Sequence, residues 1–273
     1  MVASRSGHVS LPNASLYYDT TGVGEPIVLV HGFSFDSRMW DGQVAAWSQH
    51  HQVIRYDMRG FGRSSAVDTP YAHAEDLMRL IHSLGVPRAT VVGLSLGGGV
   101  AINFALAYPQ AVRALVLADP TLGGVVRSPD SIAVATAVQD TARNVGLDAG
   151  RALWLLSPLF APAMARPDAA ATLRMMVNAY SGWHWLNDDP DVALNPPPCT
   201  RLGEIHAPTL VIVGEQDVPD FHDIRRALEH GIQGATSLVM AGSGHVPNLE
   251  VPDRFNAAVL DFLREISVGQ CSS

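Results

Sequence analysis

The sequence predicts an α/β fold: a mostly parallel, eight-stranded sheet flanked by helices and interrupted by a helical insertion. Three observations predict it. Short apolar runs alternate with helical segments up to residue 121 and again after residue 200, the pattern of strands covered on both faces. Between residues 122 and 200 that alternation stops, and proline-punctuated helical segments replace it. Gly93-Leu94-Ser95-Leu96-Gly97 joins an apolar strand to an alanine-rich helix, which is the sequence of a sharp strand-to-helix turn. The expected division is a sheet domain built from 1–121 and 201–273, with an inserted cap over 122–200.

The composition suits such a domain. Over 273 residues, 47% are hydrophobic and 16% charged, enough to fill a sizeable core and too few charges for disorder. A net charge of −8 without a basic cluster argues against a nucleic-acid partner. No uninterrupted apolar run reaches membrane-spanning length, so no membrane partner is expected. The start, Met1-Val2-Ala3-Ser4-Arg5-Ser6-Gly7-His8, lacks the apolar core of a signal peptide. Cys199 and Cys271 have no metal-ligand spacing and read as two free thiols in a reducing compartment, Cys271 in a floppy tail. A cytoplasmic protein is the expectation. The sequence sets no oligomeric state.

The elements follow in order. Residues 9–11 and 14–20 read as an edge hairpin around the turn Pro12-Asn13. Residues 26–30 are a nearly continuous apolar strand running into His31-Gly32-Phe33. Residues 39–48 fit a helix with Trp40, Val44 and Trp47 on one face, both tryptophans serving as core packing. Residues 51–56 form the next strand. The loop Asp57-Met58-Arg59-Gly60-Phe61-Gly62-Arg63-Ser64 reads as structural, pinned by Asp57 and the arginines. Residues 71–84 are amphipathic, and Gly85 serves as the C-cap. Strand 89–92, the serine turn, helix 101–108 and strand 112–118 come next.

The insertion then supplies helices over 131–145, 151–156 and 168–180. It carries Trp154, Met176 and the run Gly182-Trp183-His184-Trp185. Trp154, Met176, Trp183 and Trp185, together with Gly32, are candidate substrate-binding residues, because aromatic and methionine side chains shape apolar pockets. The alternative is that they simply pack the cap on the core. Regular alternation returns with strand 209–214, helix 220–229, strand 235–240 and helix 252–266.

Three strand ends carry chemistry. Ser95, Asp217 and His245 each sit just past a predicted strand, so all three emerge at one edge of the sheet. A serine hydroxyl becomes a nucleophile when a base takes its proton. Histidine titrates near neutrality, and a carboxylate fixes its tautomer and stabilises its charged form. Glu215, Asp220 and Asp119 compete with Asp217 for the acid role. The backbone N–H groups of Phe33 and Leu96 are candidates for an oxyanion hole. There is no metal-ligand set and no dinucleotide or P-loop fingerprint, so neither metal nor cofactor is expected.

At this point the chain resembles the α/β-hydrolase superfamily. The residues that carry the resemblance are His31-Gly32 with Trp40, the 57–64 loop, Gly93-Leu94-Ser95-Leu96-Gly97-Gly98, Gly214-Glu215-Gln216-Asp217 and Gly242-Ser243-Gly244-His245. They lie in the core on both sides of the insertion and leave the cap unmatched. Within the capped esterases and lactonases, Tyr56-Asp57-Met58-Arg59-Gly60 and the serine turn look most like 3-oxoadipate enol-lactonases. The resemblance implies a serine hydrolase of small to medium carboxylic esters or lactones. Two alternatives share the site: carbon–carbon bond hydrolysis or cofactor-free perhydrolysis, and a non-catalytic ligand receptor of the same fold.

Overall fold

The computed structural model describes residues 4–271, with side chains up to residue 268; residues 1–3 and the thiol of Cys271 lie outside the described residues. Eight strands form one sheet: β1 (Ser4–Leu11), β2 (Ala14–Thr21), β3 (Glu25–Val30), β4 (His51–Tyr56), β5 (Ala89–Leu94), β6 (Val112–Ala118), β7 (Thr209–Gly214) and β8 (Thr236–Met240). Their order is β1-β2-β4-β3-β5-β6-β7-β8. β2 runs antiparallel to both neighbours, and every other pairing is parallel. The hairpin turn places Asn13 at φ 62°, a left-handed conformation that asparagine tolerates. β1 extends further back than the apolar run 9–11, because its polar residues from Ser4 onward pair with β2 and need no core.

The central strands read as unbroken apolar runs because both faces are covered: every residue of β5 and of β7 is buried. Alternate residues feed two cores. Val28 and Val30 point into one, and Ile27 and Leu29 into the other. Helix α1 (Asp41–Trp47) lies on the second face. Helices α2 (His73–Ser83) and α3 (Leu96–Ala107) pack on the first and against each other. Between β6 and β7 come α4 (Pro129–Asn144), α5 (Leu147–Leu155), α6 (Ala161–Met164), α7 (Pro167–Ala179) and α8 (Trp183–Leu186), with no strand of the sheet among them. After β7, α9 (Pro219–Gly231) joins the first face. α10 (Pro247–Glu250) follows β8, and α11 (Pro252–Cys271) joins α1 on the second face. There Trp47 stacks on Phe255 with ring centres 6.3 Å apart, and Trp40 lies beside it.

α5 begins at Leu147, four residues before the helix expected over 151–156, and two other helices differ from the sequence reading for local reasons. The segment expected as one helix over 39–48 is split. Asp36 accepts from Arg38 N–H at 3.0 Å and caps a single 3-10 turn, Ser37–Trp40, before α1 begins. The helix expected from residue 101 begins at Leu96. Gly97 to Gly99 read as a turn but are helical, with glycine required by close neighbours. A Cβ on Gly97 would stand 2.2 Å from the Val30 carbonyl oxygen.

The strand order reverses at β3 and β5. They are neighbours, Val30 pairing with Gly93, yet their crossovers leave in opposite directions. Loops leaving two such strands open a crevice at their carboxyl ends, and the candidate site lies there.

Candidate active site

β5 ends at Leu94 and α3 starts at Leu96, which leaves Ser95 alone in the turn at φ 54°, ψ −115°. A side chain in that region costs roughly 1–3 kcal/mol and persists only where the surroundings enforce it. They do here. The Ser95 N–H donates to the Ala118 carbonyl at 3.0 Å, and its own carbonyl accepts from Thr121 N–H at 3.0 Å and Gly99 N–H at 3.1 Å. A Cβ on Gly93 would meet the Gly97 carbonyl oxygen at 2.2 Å, so the turn closes only with glycine there. The N-terminal end of α3, with its free N–H groups, lies directly beside the serine.

The loops after β7 and β8 are laced together. Glu215 N–H donates to Met240 O at 3.0 Å and Gln216 N–H to Ser243 O at 2.8 Å, while the Glu215 carboxylate accepts from Gly242 N–H at 2.8 Å. This brings Asp217 to His245: Nδ1 of the imidazole and Oδ2 of the carboxylate are 2.8 Å apart, both side chains buried. The other oxygen of Asp217 accepts from Val218 N–H at 2.7 Å. The Phe221 ring covers the imidazole at 4.3 Å. Glu250 holds the histidine's loop from within, its two oxygens accepting from Gly244 N–H at 2.8 Å and Val246 N–H at 3.1 Å. No hydrogen bond joins Ser95 to His245 in this structure; the two stand at separate strand ends on one sheet edge.

The competing acids are otherwise engaged. Glu215 braces Gly242, and Asp220 accepts from the N–H and hydroxyl of Ser128, both at 3.1 Å. Asp119 lies beside the pair, fully buried after β6, with Oδ1 accepting from Gly214 N–H at 2.9 Å. Burial first, and then the charge of Asp217, push its carboxyl well above the usual range. Asp119, Asp217 and His245 are the only acidic and imidazole cluster among the described residues close enough to chelate an ion. The His245–Asp217 hydrogen bond already satisfies that pair, and we assign no metal there.

The loop after β3 is fixed by its histidine. His31 accepts from Met58 N–H at Nε2 (2.9 Å), so Nδ1 carries the proton donated to Gly32 O (2.8 Å). Burial lowers its pKa and keeps it neutral. Neither the Phe33 N–H nor the Leu96 N–H has an acceptor among the described residues. Ser34, at φ 63°, donates its hydroxyl to Phe33 O at 2.6 Å and accepts from the Trp154 indole N–H at 2.7 Å. A helix of the inserted segment is thereby tied to the loop that presents Phe33.

Trp154 and Trp185 come to this loop, with ring centres 6.0 and 6.2 Å from Phe33. Gly32 lies in it, packed against Leu94 and Phe35. Met176 does not: it is 1% exposed, in the core cluster that includes Phe35, Phe160 and Leu173. Trp183 packs its ring edge-on to His184 at 5.0 Å, one layer from Phe33. Met176 thus takes the packing role that was the alternative in the sequence. Phe61, Tyr180 and His184 were not foreseen beside the loop. Phe61 stacks on His184 at 4.5 Å, and all three rings lie within 5.8 Å of Phe33. Phe61 sits in a loop, where no periodicity marks a buried ring. Glu250 carried no signal either, since its two partners are N–H groups of an irregular turn.

A family model described as the alpha/beta hydrolase family matches residues 27–258. The chain belongs to the alpha/beta hydrolase family. It is 31% identical over 268 residues to the 2-hydroxy-6-oxononadienedioate/2-hydroxy-6-oxononatrienedioate hydrolase of Paraburkholderia xenovorans, covering 91% of this chain and 90% of that one. The enol-lactonase of Burkholderia xenovorans superposes with TM-score 0.80 at 27% identity, over 94% of this chain and 100% of that one. A thermophilic esterase from Thermogutta terrifontis superposes with TM-score 0.82 at 27% identity, over 96% and 99%. This alpha/beta hydrolase is an enzyme of the esterase and lactonase-like group. No helix among the described residues is long and apolar enough to cross a membrane.

Proposed function

We propose that the chain is a serine hydrolase of small to medium carboxylic esters or lactones. Ser95 is the nucleophile, His245 the base and Asp217 the acid that orients it. The observation that carries this reading is the 2.8 Å contact between Asp217 and His245, at the same sheet edge as a serine held in a strained turn. With Nδ1 bonded to Asp217, Nε2 is the nitrogen that takes the Ser95 proton as Oγ attacks the substrate carbonyl. The resulting oxyanion is received by the N–H groups of Phe33 and Leu96. Donors already aimed when charge forms are worth on the order of 10²–10³-fold in rate each. The imidazolium then returns its proton to the alcohol leaving group, and the acyl group remains on Ser95. A water molecule, deprotonated by His245, attacks the acyl-enzyme, and the carboxylic acid leaves as Oγ regains its proton. No metal or cofactor enters the scheme.

The rings of Phe33, Trp154 and Trp185 supply an apolar wall beside the oxyanion donors, which favours an uncharged acyl or alcohol group. A second reading keeps the site and changes the bond to carbon–carbon, and it is favoured by the 31% identity to the oxononadienedioate hydrolase.

The test is a panel of p-nitrophenyl esters of increasing chain length, lactones and vinylogous diketones, assayed with wild type and with Ser95→Ala. Ester or lactone turnover that falls by on the order of 10⁴-fold or more in the variant is the expected result. Turnover of the diketones alone shifts the reading to carbon–carbon hydrolysis. Undiminished turnover in Ser95→Ala ends both.

A further inference from the structure

We propose that Asp119 is a positioning residue for the Asp217–His245 pair: a buried, neutral carboxylic acid whose Oδ2–H donates to the Asp217 carboxylate. The inference rests on the reading of Asp217 and His245 as acid and base.

Position comes first. Asp119 is the first residue after β6, held at φ 41°, with its N–H donating to Ile212 O of β7 at 2.8 Å. That backbone delivers the side chain to the exit of β7, where the Asp217 turn begins. Oδ1 accepts from Gly214 N–H at 2.9 Å. Oδ2 is buried and has no donor among the described residues. An ionised carboxylate with one oxygen unsolvated and unpartnered is strongly disfavoured in a protein interior.

Its neighbours make ionisation costlier still. One ligand atom each of Asp119, Asp217 and His245 lie within 4.8 Å of one another. Glu250 adds a further negative charge from α10, and Arg166, bonded to Gly242 O at 2.6 Å, counters Glu250. Two buried carboxyls this close hold one negative charge between them. Asp217 is the ionised member: it has Val218 N–H and the imidazole as donors, whereas Asp119 has only Gly214 N–H. A proton on Oδ2 of Asp119 turns the orphan atom into a donor and gives Asp217 a further hydrogen bond.

The consequence reaches the base. A carboxylate that shares its charge with a neutral acid stabilises the imidazolium less than a bare one, so Asp119 tempers the hold of Asp217 on the charged form of the base. It also fixes the plane of the Asp217 carboxylate.

The test pairs spectroscopy with rescue. Infrared spectra at neutral pH are recorded for the Ser95→Ala protein with and without Asp119→Asn. The expected result is a protonated-carboxyl C=O stretch that disappears with Asp119→Asn. Since no turnover is needed, this arm decides the proton on Asp119 even if Ser95 proves not to be the nucleophile. In kinetics on otherwise wild-type enzyme, Asp119→Ala lowers kcat/KM about tenfold, the scale of one hydrogen bond to a charged group, and moves the acidic limb of its pH profile upward. Asp119→Asn, which keeps an acceptor for Gly214 and a neutral donor for Asp217, restores the limb. The absence of a protonated-carboxyl band overturns the proposal, and so does an Asn variant whose limb shifts as far as that of Ala.

Discussion

The strained Ser95 turn shows how few residues need special chemistry for a site to form. Gly93 and Gly97 flank the serine at positions where a Cβ would collide with backbone, and their spacing around it is what made the turn legible. Asp217 and His245 were legible for a related reason: each follows an apolar strand through a short glycine-containing loop. Glu250 belongs to the same scale and was not legible. Its role consists of two N–H bonds to a turn, and nothing in Pro247-Asn248-Leu249-Glu250 encodes that. Replacing Glu250 by Gln puts an NH₂ group against one of those N–H donors. We expect a loss of roughly 1–3 kcal/mol in stability and a fall of about tenfold in kcat with little change in KM, because the loss is in the placement of His245. Thermal melts with steady-state kinetics check this. An unchanged kcat would mean that the loop holds His245 without the clamp.

At the scale of elements, the strands and most helix starts were readable, and the starts of α1, α3 and α5 were not. A buried parallel strand announces itself as an unbroken apolar run, and β3, β5, β6 and β7 all do. α3 begins five residues before its alanine-rich stretch, because three glycines that read as a turn are demanded by neighbouring chain. The segment between β6 and β7 reads as helical and rich in pocket candidates, but which of them face the site does not read. Trp154 and Trp185 reach Phe33, while Met176, at an equally apolar position, points into packing. Helical periodicity reports that a face is buried. It does not report which neighbour buries it.

At the scale of the molecule, a cluster of titratable groups joins the loop before α2 to the segment after α8. Tyr71 donates to Asp189 at 3.0 Å and stands 3.3 Å from His73, whose N–H meets Asp191 at 3.4 Å; His184 stands 3.8 Å from Asp189. Burial lowers the His73 pKa to about 3 and that of His184 to about 4, and lowers that of His31 as well. These imidazoles stay neutral in the fold and charge in the unfolded chain below their ordinary pKa. The unfolded state therefore binds more protons as pH falls below about 6.5, and stability drops there. Asp191, raised to about 6, and Asp119 and Glu250, both raised by burial, act in the opposite sense and offset part of the loss. His51, lowered by burial, adds to the loss, so four imidazoles stand against three carboxyls and the net loss in this window is small. Tm is expected to fall by roughly 2 °C between about pH 7 and about pH 5.5. A Tm that holds or rises across that interval would mean that these histidines are not buried neutral.

The central claim is that Ser95 is a nucleophile activated by His245. It is tested most directly by treating wild type, Ser95→Ala and His245→Ala with a fluorophosphonate and locating the adduct by peptide mass mapping. One stoichiometric adduct on Ser95 is expected in wild type, none in Ser95→Ala, and labelling slowed by orders of magnitude in His245→Ala. An adduct elsewhere, or equal labelling rates in wild type and His245→Ala, would contradict it.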